Sequence, residues 1–113
     1  MATARDFRRI ALSLPHATEG AHGSHPDFRI ADKVFASLGV PDADWGMVKL
    51  TPEQQGVLLE AEPKTFKPSA GIWGRRGYTH VCLGTIDRDT LLSALTMAWR
   101  NTAPKRVLPE LAE

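Results

Sequence analysis

Cysteine is nearly absent from this chain. Cys82 is the only one, so no internal disulfide can form, and a reducing, cytoplasmic setting is expected. Long apolar runs are missing as well. Nothing approaches the ~20 apolar residues that cross a bilayer, so no membrane partner is expected. The opening stretch MATARDFRRIALSLP carries basic and then apolar residues. It is not expected to act as a signal peptide, because Ile10 to Leu14 is too short for the apolar segment and no small-residue cleavage site follows. No GxGxxG, P-loop, HExxH or GxSxG pattern occurs. That argues against the common motif-bearing enzymes, so neither catalysis nor a cofactor is expected. Repeats and low-complexity tracts are also lacking. Charge is close to balanced, with 14 Lys and Arg against 13 Asp and Glu. A dedicated nucleic-acid domain is often more basic, so only local clustering of charge can point to a polyanion.

What is present describes an ordinary soluble domain. The 113 residues, 42% hydrophobic and 24% charged, fit a single domain over 1–113 that can bury a core without staples. Thr3 followed by Asp6 caps a first helix whose Phe7, Ile10, Ala11 and Leu14 share one face, and Pro15 ends it. The Gly- and His-rich segment 16–26 reads as a loop. Strands are expected at Phe28 to Ala31, Val34 to Leu38 and Trp45 to Leu50, with a tight turn at Asp32-Lys33. Thr51, Pro52 and Gln54 open a short second helix by a capping box, with Val57, Leu58 and Ala61 towards the core. Tyr78 to Gly84 is a strand, paired with Ile72-Trp73 across a Gly74-Arg75-Arg76-Gly77 tip. Asp87 caps the last helix, in which Leu91, Leu95, Ala98 and Thr102 form a stripe widened by Leu92 and Trp99. The order predicts an α+β sandwich, its antiparallel sheet covered on one face by the terminal helices and left partly open on the other.

Several residue groups invite a chemical reading. Residues 63–86 hold Lys64, Lys67, Arg75 and Arg76 and no acidic residue. A Gly-flanked arginine pair on a hairpin tip suits phosphate oxygens, against the plainer reading of a solvated turn. Lys105 and Arg106, beside Arg100, extend that surface or merely offset the helix dipole. His22, His25 and Asp27 lack the ligand number of a closed metal site, so no metal is expected. Tyr78, His80 and Cys82 alternate and share the open sheet face, whereas Thr79, Val81 and Leu83 face the helices. Neighbours two apart on a strand lie ~6.5 Å apart, too far for an easy thiolate–imidazole pair. Trp99 continues a core stripe. Trp45 and Trp73 can plug the ends of the core, stack bases or anchor a protein partner.

The segments HPDFRIADKVFASL, MVKLTPEQ and YTHVCLGTIDRDTLLSALTMAWRNTAPKRVL resemble the MmcQ/YjbR family of small bacterial proteins. The resemblance runs from Phe7 to Leu108. It implies a frataxin-like two-layer sandwich and a DNA-binding role, without naming the residues that bind. Tyr78 stands where such proteins usually open this strand with tryptophan. The acidic first helix of frataxins is replaced by Arg5-Asp6-Phe7-Arg8-Arg9, so iron is not expected. The expectation carried forward is DNA contacted by Arg75, Arg76, Lys64 and Lys67, with Lys105 and Arg106 assisting. The alternative is a protein-interaction module on the open sheet face, or a small-molecule binder in a concave pocket.

Overall fold

Capping boxes start two of the helices. In helix α1 (Ala4–Ser13) the Asp6 amide donates to Thr3 Oγ1 at 3.1 Å, and the Thr3 amide donates back to the Asp6 carboxylate at 2.9 Å. In α2 (Pro52–Ala61) Thr51 and Gln54 repeat the exchange, at 3.1 and 2.9 Å. These bonds satisfy amides that a helix start leaves unpaired. The structure is a computed structural model and describes residues 1–111.

Six strands form one antiparallel sheet: β1 (Thr18–His22), β2 (His25–Ile30), β3 (Lys33–Leu38), β4 (Trp45–Lys49), β5 (Phe66–Pro68) and β6 (Tyr78–Cys82). Their spatial order is β1-β2-β3-β4-β6-β5, so β6 inserts between β4 and β5. A five-residue helix, α3 (Gly71–Arg75), sits between β5 and β6. The long helix α4 (Arg88–Thr102) follows β6, and a 3₁₀ turn spans Leu108–Glu110.

Cross-strand register separates the two faces. Phe28, Ala36, Val48 and Thr79 are successive partners and are buried beneath the helices. One step along each strand, Asp27, Ser37, Met47, His80 and Lys67 run across the opposite face. The helix side holds the core, where Phe7, Ala11, Leu91, Ala94, Leu95, Ala98 and Trp99 meet the sheet. Each large side chain buried there contributes about 1.5–3 kcal/mol. The Trp99 indole N–H donates to the Pro15 carbonyl at 2.9 Å, tying α4 to the end of α1. The α+β sandwich with terminal helices on one face is therefore the observed architecture. Thr79, Val81 and Leu83 point into the core as their alternation required.

Other elements differ from the sequence expectation. Segment 16–26 is a β-hairpin rather than a loop. Its outer strand β1 is exposed along most of its length, so no apolar alternation marks it. The first expected strand starts earlier, at His25, and the tight turn falls at Ala31-Asp32, both at positive φ (51° and 66°), as a two-residue hairpin of this twist requires. On α2, Val57 and Ala61 are exposed, and Leu58, Leu59 and the buried Gln55 make the inward contacts. Leu92 on α4 is exposed rather than part of the stripe. The expected Ile72-Trp73 strand is absent: those residues belong to α3, and the partner of β6 is β5.

Candidate functional site: the open sheet face

The Gly-Arg-Arg-Gly segment is not a hairpin tip. Arg75 ends α3 and Arg76 is its C-terminal cap. The flanking glycines are set by crowding. A Cβ on Gly74 would overlap the Ser69 carbonyl. One on Gly77, whose φ is +107°, would overlap the Leu50 carbonyl. Buried Gln55 completes the mount: its side-chain amide donates to the carbonyls of Gly74 (3.1 Å) and Tyr78 (3.2 Å) and to Thr79 Oγ1 (3.0 Å). These contacts press α3 against the start of β6 and set Trp73 beside Tyr78, ring centroids 5.1 Å apart.

This pair walls one side of a cavity of about 510 Å³ on the open face. Met47, Val34, Val40 and Ala70 supply apolar surface, and Ser37, Ser69, His22, Lys49 and His80 supply polar groups. No carboxylate lines it among the described residues. Asp27 belongs to the same face, yet it is fully buried under partners. Arg29 donates to both its oxygens (2.8 and 3.1 Å), and His22 Nδ1 contacts its Oδ2. The Arg29 hydrogen bonds hold the Asp27 carboxyl below the usual carboxylate range.

His80 forms part of the cavity wall. Its residue is 9% exposed, and its Nδ1, shut off from solvent, makes no hydrogen bond of good geometry among the described residues. Burial pushes its pKa down, the backbone of Val40 and Gly46 pulls it partly back, and Lys67 across the β5–β6 ladder adds to the fall. The ring is therefore neutral at pH 7, with one nitrogen to donate and one to accept. Trp45 meets it edge-on, centroids 6.5 Å apart at 87°.

Each aromatic wall carries a cation. Lys49 Nζ lies 5.1 Å from the Tyr78 ring centre, Lys67 Nζ 5.4 Å from that of Trp45, and Arg76 Cζ 5.4 Å from that of Trp73. Such placements favour the cation by ~0.5–1 kcal/mol where water has access.

The six expected contact residues are all exposed but do not form one patch. Arg75 and Arg76 lie at the Tyr78 end of β6, and Lys67 lies on β5 above Trp45. Neither arginine forms an ion pair among the described residues. Lys64 sits at the other end of β6, where its carbonyl accepts from Thr85 Oγ1 at 3.5 Å. The strand alone puts about 14 Å between those ends. Arg106 borders a hollow on the helix-bearing side with His16, Ile30 and Glu110, and Lys105 precedes it beyond α4. Lys49 was missed. It could have been found by carrying the alternation of Trp45, Met47 and Lys49 along β4, which puts all three on the face of His80.

The fold and this face define a small α+β protein with a helix-covered side and an aromatic, cation-edged open side. The family model described as YjbR matches residues 12–101, and the chain belongs to that family. Among solved structures, the chain is similar to the crystal structure of the Deinococcus radiodurans protein DR2400, assigned to the family-model domain DUF419. The two share 20% identity with a TM-score of 0.78, over 98% of this chain and 86% of that one. At that identity the likeness is one of fold. No curated protein matches the chain. Among the described residues no helix is long and apolar enough to cross a membrane.

Proposed function

We propose that this YjbR protein is a non-enzymatic DNA-binding module that takes single-stranded DNA across its open sheet face. The observation that carries this is the pairing of Trp73, Tyr78 and Trp45 with Arg76, Lys49 and Lys67 on a face whose cavity no carboxylate lines among the described residues. Bases would stack on the exposed Trp73 and against the half-buried Trp45 and Tyr78 while the adjacent cations meet phosphates, a combination that suits unpaired strands and is tolerant of sequence. Arg75, exposed beside Arg76, adds a phosphate contact at the rim. Lys64, Lys105 and Arg106 lie off this path. The unpaired thiol of Cys82 accords with a reducing, cytoplasmic location.

Titration of a fluorescent dT12 strand, and of a duplex of equal length, tests the reading. With Lys49, Lys67 and Arg76 engaged, log K should fall against log salt with a slope of about −2, or roughly twentyfold between 50 and 200 mM. Trp73→Ala removes one stack and should weaken the strand by about fivefold or more. Equal affinity for the duplex, or a Trp73→Ala variant that binds as the parent does, would sink it. One observation favours a second reading. Ile72 and Trp73 lie side by side, 53% and 51% exposed, as an apolar anchor for a protein partner would. Docking of that kind would be almost insensitive to salt.

A further inference from the structure

We infer that the open-face cavity is a binding site for one small organic anion with a flat apolar body, such as a fused-ring aromatic carboxylate. Three observations converge. The cavity, about 510 Å³, falls within the range of small-molecule sites, which are largely apolar with a few placed polar groups. Its one fixed charge is Lys49, and among the described residues no carboxylate lines it to repel an acid or hold a cation. The third is the wall itself: Tyr78 and Trp73, ring centroids 5.1 Å apart, give it flat aromatic surface beside the His80 ring.

The parts divide the recognition between them. Tyr78 and Met47 present flat apolar surface to the ring. Lys49 is held over the Tyr78 ring edge of the cavity, so an acid group on the ligand meets an ammonium without displacing a protein carboxylate. Ser37 and Ser69 supply hydroxyls along the walls. Trp73, mounted by Gly74 and Gln55, closes the side away from β3. A single bound molecule needs no polymer, so this inference does not rest on the DNA reading, although both use the same aromatic wall.

The probe is 2-naphthoate, compared with neutral 2-naphthalenemethanol, by amide chemical-shift mapping and calorimetry on the full chain. Naphthoate should bind with a Kd of about 1 mM or tighter. Its shifts should centre on Met47, Lys49, Tyr78 and His80. The alcohol should bind at least tenfold more weakly. Lys49→Met should bring naphthoate down to the alcohol's affinity and leave the alcohol unchanged. Equal binding of acid and alcohol, shifts centred elsewhere, or no binding at 5 mM overturns the inference. So does a well-folded Lys49→Met that retains parent affinity. Binding of dT12 without naphthoate overturns this inference and leaves the DNA reading standing; naphthoate binding without dT12 does the reverse.

Discussion

Replacing Gly77 by alanine should unfold the mount of α3, whereas the same change at Gly56 should do the opposite. Gly77 has φ +107°, a conformation side chains rarely adopt, and its Cβ would overlap the Leu50 carbonyl. The Leu50 amide donates to the Gly77 carbonyl at 3.2 Å, so the two backbones cannot separate without losing that bond. Strained backbone costs about 1–3 kcal/mol, and forced repacking about as much again. The expected loss is therefore about 3–5 kcal/mol. Gly56 lies inside α2, and nothing lies within 4 Å of the position its Cβ would take. Alanine there should add about 0.5–1 kcal/mol, because glycine loses more chain entropy in a helix. Urea unfolding followed by tryptophan fluorescence reads both changes. With a slope near 1.5 kcal/mol per molar, Gly77→Ala should lower the midpoint by roughly 2 M or more, and Gly56→Ala should raise it slightly. A Gly77→Ala protein within about 1 kcal/mol of the parent would refute the crowding argument. So would equal losses at both sites, since they would mean that neither position is special.

Two further outcomes follow from the buried polar contacts. Asp27 has a depressed carboxyl pKa because Arg29 hydrogen-bonds it. Its contribution is present above its unfolded value near 3.9 and is lost as pH falls through the lower folded value. Asp27→Asn should therefore flatten the loss of stability below about pH 4; an unchanged acid limb of the melting curve would contradict this. Trp99→Phe removes the indole donor to the Pro15 carbonyl from a fully buried site. It should cost about 1–3 kcal/mol by thermal or urea unfolding, and a neutral outcome would show that the bond contributes nothing.

Much of the fold was legible where one residue does one local job. Thr3 with Asp6, Thr51 with Gln54, and Asp87 with the Thr90 amide (2.7 Å) each mark a helix start by a side-chain bond. Strand β4 is buried in alternation and showed its period; β6 showed it by residue type, with Thr79 and Val81 fully buried, although His80 between them is buried too. The hairpin before Arg29 did not, because β1 is an edge strand bathed on both sides and its register rests on pairing with β2. The helix at Ile72 reads in the sequence as a short strand and hairpin tip for a related reason. Five residues are too few to show a 3.6 period, and its glycines answer to carbonyls of Ser69 and Leu50 that are distant in sequence or invisible locally. The site was legible in part. Alternation placed Tyr78 and His80 on the open face, but the concavity depends on α3 folding over them. That also decided which cations count: Arg76 and Lys67 are drawn to rings, while Lys64 and Arg106 are carried elsewhere.

The Gln55 amide reaches three acceptors on two elements at once. Because one side chain from a third element, α2, pins both, an outward swing of the wall made by Trp73 has to break the bond to the Gly74 carbonyl. If this face takes a guest as proposed, the wall holds its shape beforehand. Little ordering entropy is left to oppose association, and changes in affinity among variants of this face should show themselves in how fast a guest departs rather than in how fast it arrives.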